Sequence, residues 1–204
     1  MVGGNFFKKG RTLKIYLNFY IMIQHSEQRV AVFVDAQNMY HSAKNLFNAN
    51  VNFEALLTQA VKGRKLTRAL AYGITSPQAD ETKFFEALAK QGFELRLKEL
   101  LIFAGGAKKG DWDVGMAVDA IRIAQKVDVI TLVTGDGDFI PLVEYLQQAY
   151  GCQVELVSFQ RSTSSKLIET VDSFYDLGLD ESRFLLRSPK KFFPPRRGSR
   201  IARK

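Results

Sequence analysis

The sequence predicts an α/β domain: a parallel β-sheet covered by helices on both faces. Three observations predict it. Short apolar runs alternate along the chain with stretches whose apolar residues recur at helical spacing, the pattern of a parallel sheet with crossover helices. The runs from Arg29 to Val34 and from Val127 to Val133 are β-branched and apolar almost throughout, as strands buried on both faces are. Both stop abruptly at acidic residues, Asp35 after the first and Gly135-Asp136-Gly137-Asp138 after the second.

Composition bounds the rest. A chain of 204 residues, 46% of them hydrophobic, fills one domain with extensions and can bury a full core. One cysteine, Cys152, permits no internal disulfide and fits a reducing compartment, so the expected location is cytoplasmic. Two histidines and no Cys/His cluster argue against zinc or a His-based triad. The net charge of +8 sits at the ends: residues 1–28 carry +3 and residues 183–204 carry +9, leaving −4 for the body. Basic ends of this kind suit nucleic acid or an acidic surface, or are simply solvated.

Residues 1–28 read as an N-terminal extension. Lys8 to Lys14 followed by Ile15 to Ile23 mimics a signal peptide, but Asn18 interrupts the apolar part and no small-residue cleavage site follows. The run is also short of the roughly 20 residues that span a bilayer. The extension is therefore either an arm or the product of a start placed upstream of Met22.

Arg29–Val34 is the first strand, and a helix runs from about Asp35 to Phe47. Asn52 caps a second helix that ends at Gly63, with Val51 and Leu56 set as a hydrophobic staple. Leu66–Ile74 is the second strand. Ser76-Pro77 opens a helix that Gly92 closes. Phe93–Phe103 alternates as a third strand, and Gly105 to Gly110 is a flexible basic loop. Asp113 begins a helix to about Lys126, with Val114, Ala117, Val118, Ile121 and Ala124 as its apolar positions. The fourth strand follows, then a helix from Pro141 to Tyr150, a fifth strand over 153–159 and a last helix over 164–177. The domain is set at 29–178 and the basic tail at 179–204.

The chemistry lies in the acids. Parallel strands end at one edge, where α/β sheets bind ligands. Asp35, Asp136 and Asp138 follow strand ends, and Asp113 opens a helix that starts from the same edge. Glycines at 135 and 137 are expected to allow positive φ in the turn. Four carboxylates at one crevice repel unless a cation joins them. All-oxygen donors suit Mg²⁺ or Mn²⁺. The bland alternative is a polar turn with Asp138 as a helix N-cap. Asp119 lies on a greasy helix face, about 9 Å along the axis from Asp113. It is read as a supporting or structural acid, with direct participation the minority reading. Asn38 either orients a water or phosphate oxygen or caps a turn. Lys109 is either a phosphate binder or a solvated loop residue. Thr134 either bonds Asp136 or a water or is simply a strand residue. His41 reads as a surface residue and Trp112 as packing.

Val-Phe-Val-Asp35-Ala-Gln-Asn38, Lys109-Gly-Asp-Trp-Asp113 with Asp119 beyond, and Thr134-Gly-Asp136-Gly-Asp138-Phe139 together resemble the NYN domain, closest to its LabA-like branch. The resemblance covers about residues 29–177. Thr134 stands where the family usually has Ser, and the Lys-Gly to Asp spacing is one residue longer than in many members, which leaves Asp111 and Asp113 as alternatives. NYN domains are similar to PIN domains and FLAP nucleases. The resemblance therefore implies a three-layer α/β/α sandwich with strand order 3-2-1-4-5 and metal-dependent hydrolysis of RNA. Asp35, Asp113, Asp136 and Asp138 would hold Mg²⁺ or Mn²⁺, with Asn38 and Asp119 assisting and Lys109 and Thr134 at the substrate. The expected partners are RNA, single-stranded or structured, and as an option a second copy in a homodimer, with no membrane. The alternative function is a non-catalytic RNA-binding or regulatory module of the same fold. A haloacid dehalogenase-type phosphatase is disfavoured because Gln37 stands where that chemistry needs a second Asp. A receiver domain is disfavoured because the paired acids follow the fourth strand.

Overall fold

The computed structural model describes residues 25–75, 81–102, 108–109 and 111–187. The expectations for the extension through residue 24, the Ser76-Pro77 helix opening, Gly105 to Ala107 with Gly110, and the tail from residue 188 lie outside the described residues.

Six parallel strands form the sheet: β1 (Arg29–Asp35), β2 (Lys65–Thr75), β3 (Glu94–Glu99), β4 (Val129–Val133), β5 (Gln153–Ser158) and β6 (Ser173–Asp176), in the order β3-β2-β1-β4-β5-β6. The expected order 3-2-1-4-5 holds, and a sixth strand is added at the edge. β1 lies between β2 and β4, with Asp35 opposite Tyr72 and Val34 opposite Val133. Every residue of β4 is buried.

Alternate β1 residues feed two cores. Val30, Val32 and Val34 pack under α1 (Ala36–Phe47), α2 (Phe53–Val61) and α3 (Thr82–Lys90). Ala31 and Phe33 pack under α4 (Asp113–Ala124), α5 (Ile140–Tyr150) and α6 (Ser165–Thr170). The result is the three-layer α/β/α sandwich. Asn52 caps α2, accepting from the Ala55 N–H. Cys152 is buried, with its thiol donating to backbone carbonyls of Ala124 and Val127.

Three expectations are corrected. The face of α4 that turns inward carries Met116, Ala120, Ile123 and Ala124, while Val114 and Val118 are 74% and 40% exposed. The last helix stops at Thr170. Val171 turns extended, Asp172 exchanges bonds with Val154 through both its N–H and its carboxylate, and Ser173–Asp176 pairs with β5 instead. The third strand ends at Glu99, and Leu101–Ile102 turns into a separate antiparallel pairing with Lys108–Lys109.

Packing also continues past residue 178. A short helix α7 (Glu181–Phe184) buries Phe184 completely, and Leu185–Leu186 pairs antiparallel with Asn50–Val51. No helix among the described residues is long and apolar enough to cross a membrane.

Candidate metal centre

The acids gather where β1 and β4 end side by side. One carboxylate oxygen from each of Asp113, Asp136 and Asp138 lies within 4.8 Å of the other two. Asp113 comes from the first turn of α4, which returns to this edge, and the other two come from the loop after β4. Asp35 stands beside this trio and is not one of it. Burial pushes its carboxyl up to about 6, and the charges of Asp113 and Asp136 push the same way, against the N–H groups of Asn38 and Gln37. Asp113 is raised too, by burial first and then by Asp136, Asp111 and Asp138, while Lys98 pulls it down. Asp111 is exposed and outside the trio, so of the two alternatives it is Asp113 that joins the group.

The loop is held from two sides. The Gly135 N–H donates to Asn38 Oδ1 at 2.9 Å, tying the β4 end to the first turn of α1. The Ser164 N–H donates to the Gly135 carbonyl at 2.9 Å. Neither Gly135 nor Gly137 has positive φ, contrary to expectation. Their need is space: a Cβ on Gly135 would stand 2.5 Å from the Ser162 carbonyl oxygen, and one on Gly137 would stand 2.9 Å from Ser164 Oγ. The cap is also reassigned. Asp136, not Asp138, caps the 3-10 turn Gly137–Phe139, its Oδ1 accepting from the Asp138 N–H at 2.9 Å. Asp138 is left exposed.

Other expected site residues fall in three places. Thr134 is fully buried and its hydroxyl accepts from the Asp136 N–H at 3.2 Å, so it shapes the acid loop and cannot touch a substrate. Asp119 lies outside the trio. It accepts from the Tyr72 hydroxyl at 3.0 Å and pairs with Arg96 at 3.4 Å and Arg122 at 3.9 Å. Asn38 accepts from the Gly135 N–H through its side-chain oxygen, so it holds the loop to the start of α1. The backbone of Lys109 pairs with Leu101, and its side chain lies outside what the structure describes. His41 is exposed. Trp112 packs as expected, donating to the Gly73 carbonyl and meeting Tyr72 edge-on.

Sequence reading missed Lys98. Its ammonium donates to the Asp111 carbonyl at 2.9 Å and stands 4.6 Å from the Trp112 ring centre, with its field on Asp113. The signal lay in β3, where Glu94, Arg96 and Lys98 alternate with Leu95 and Leu97 and so share a face. An open depression of about 420 Å³, lined in part by Asp113, Val114, Asp138 and Tyr145, adjoins the acids.

The donor set fits a hard divalent cation: oxygens alone, within a few ångströms of one another. Burial first, and then acidic neighbours, raise both Asp35 and Asp113, and a bound cation would relieve the repulsion.

A three-layer sandwich of this strand order, with acids beyond β1 and β4, is a PIN-like α/β protein. Within that class the chain belongs to the NYN domain family, whose profile matches residues 29–180. It is 27% identical over 161 residues to the Low amplitude and bright protein LabA of Synechococcus elongatus, covering 73% of this chain and 83% of that one. It is 27% identical over 174 residues to the uncharacterized protein MJ0482 of Methanocaldococcus jannaschii, covering 81% of this chain but only 64% of that longer one. Among solved structures, the crystal structure of VPA0982, a protein of unknown function from Vibrio parahaemolyticus, superposes with a TM-score of 0.72 at 36% identity, covering 81% of this chain and 100% of that one.

Proposed function

We propose that this chain is a metal-dependent endoribonuclease that hydrolyses RNA phosphodiesters with Mg²⁺ or Mn²⁺. The observation that carries the reading is the trio Asp113, Asp136 and Asp138, with oxygens within 4.8 Å, at the ligand-binding edge of a PIN-like sheet. Family membership supports it. When bound, the cation supplies an acidified water and polarises the phosphodiester.

The chain's own residues supply the rest. Asp113, Asp136 and Asp138 would hold the cation directly, with Asp35 adjoining. Asp35 accepts from the Asn38 N–H through Oδ1, and its carboxylate would take a proton from the attacking water. Thr134 and Asn38 fix the loop so that the carboxylates need not be ordered by the ligand. Lys98, with Lys109 as a second candidate, neutralises phosphate charge. The basic residues at 187–204 add sequence-independent affinity that weakens with salt.

The test is cleavage of generic RNA and DNA with and without Mn²⁺. Wild type should cut RNA only with metal, and Asp136→Asn should lose at least about 100-fold in rate, as loss of a group acting directly on the reaction does. Equal cleavage by the variant would sink the site. A wild type that binds RNA but never cuts it, with Asp136→Asn binding unchanged, would replace this reading with the non-catalytic binding module.

A further inference from the structure

A cavity of about 540 Å³ opens on the same sheet edge as the acids, between α1 and α3. Its near wall is Ala36 and Gln37, the two residues after Asp35. Its floor is Gly73 and Ile74, just beyond Tyr72, the β2 residue opposite Asp35. The cavity wall therefore begins at the residue next to Asp35.

The walls suit a flat aromatic guest. Tyr40 from α1 and Phe84 and Phe85 from α3 line it. Tyr40 is 42% exposed, so its ring is open to a guest. The Phe85 ring lies down on Gly73, where a Cβ would come within 2.4 Å of it, so glycine is what lets that ring form part of the lining. Gln37, His41, Asn50, Glu81 and Gln91 are the polar residues of the lining. Gln37 and Gln91 bring side-chain amides, and Gln91 Oε1 is buried without a hydrogen-bond partner. Such an oxygen is costly to leave unpaired, and a donor entering the cavity would satisfy it once the amide turned inward. Outside the aromatic wall, Lys44 Nζ stands 5.6 Å from the Tyr40 ring centre, placing a cation where a backbone phosphate would run.

Size, aromatic walls, side-chain amides and a neighbouring cation suit a nucleobase on its sugar-phosphate chain. We propose that this cavity receives one unpaired nucleobase of the RNA whose phosphodiester lies at the acids. The base stacks on Tyr40 and presents its pairing edge to the Gln37 and Gln91 amides. A paired base has that edge occupied and cannot enter, so the cavity selects single-stranded over duplex RNA. This rests on the nuclease reading for the identity of the polymer, and the following experiment separates the two.

Binding of the four free nucleosides, which carry no phosphate, is measured by saturation-transfer NMR on the full metal-free chain. The comparison is wild type, Asp136→Asn, Gln91→Leu and Ala87→Trp, the last filling the cavity from an exposed position of α3. Cleavage of single-stranded and duplex RNA of one sequence with Mn²⁺ is measured in parallel. Wild type and Asp136→Asn should bind at least one nucleoside saturably, Gln91→Leu should weaken it, and Ala87→Trp should abolish it at an unchanged melting temperature. Ala87→Trp should also lose about tenfold or more on single-stranded substrate, the effect of one stacked base. Absence of nucleoside binding in wild type, or wild-type binding and cleavage in Ala87→Trp, would overturn the proposal. Nucleoside binding that Ala87→Trp removes, in a protein that never cuts RNA, would uphold the cavity and remove the nuclease reading instead.

Discussion

Burial and the charges of Asp113 and Asp136 hold the Asp35 carboxyl near 6, against an ordinary 3.8. The folded, metal-free chain therefore favours the protonated form more than the unfolded chain does. Stability from this preference is fully present below about pH 3.8 and is lost as pH rises through about 6. Asp35→Asn has no such loss. By denaturant unfolding without metal, the variant should match wild type near pH 4 and exceed it at pH 7.5, by up to about 3 kcal/mol. Adding Mn²⁺ should close the gap at pH 7.5, since a cation favours the charged carboxylate. A gap that does not change with pH would contradict the raised value. At this scale the sequence was legible in residue type and not in reason. Gly135 and Gly137 stand out in any reading, but the cause is the passage of Ser162 and Ser164 against them, and contact across 27 residues leaves no local mark. Gly135→Ala should cost about 1–3 kcal/mol as an overpacked site does, measured by denaturant midpoint.

Elements set the acids by meeting at their ends. The Asn38 side chain joins the start of α1 to the end of β4, so Asn38→Ala leaves the Gly135 N–H without its acceptor. The expected cost is about 1–3 kcal/mol. Mn²⁺ affinity, read by calorimetry, should fall with it because the acid loop loses one of its two ties. Unchanged affinity would show that the Ser164 tie suffices. The strands were legible because burial on both faces leaves continuous apolar runs, as in β1 and β4. The α4 face was not, because this helix carries apolar residues on two sides: Val114 and Val118 compete with Met116 and Ile123 in any periodicity count, and only the sheet decides between them. The 164–177 stretch misled for a related reason. Leu167, Ile168, Val171 and Phe174 keep helical spacing, yet the Asp172 carboxylate and N–H both bond Val154, and the aromatic run after it completes the sheet.

Across the whole molecule, stability and chemistry are held at different places. Arg64, just ahead of β2, forms a bidentate pair with Glu155 in β5 at 3.0 and 2.8 Å, both side chains shut from solvent. Two further Arg64 N–H groups donate to the Val61 and Ala60 carbonyls, and Lys62 and Gln153 also donate to Glu155. Removing one partner of such a pair strands the other, so Glu155→Gln should cost about 3–5 kcal/mol. Mn²⁺ affinity of the protein that remains folded should not change, because the pair lies away from the acids. The strand order followed from family resemblance and from the need to bring Asp35 beside Asp136. The sixth strand and the Leu185–Leu186 pairing did not, because both depend on partners distant in sequence: Glu155 to Ser158 for one, Asn50 and Val51 for the other.

The double tie on Gly135 has a further consequence. Its amide sits in a loop, where backbone hydrogens ordinarily trade with solvent quickly, yet it is buried and bonded to a side chain from another element. It can take up deuterium only when the β4 end parts from α1, so its exchange rate reports how often the acidic centre comes open as a unit.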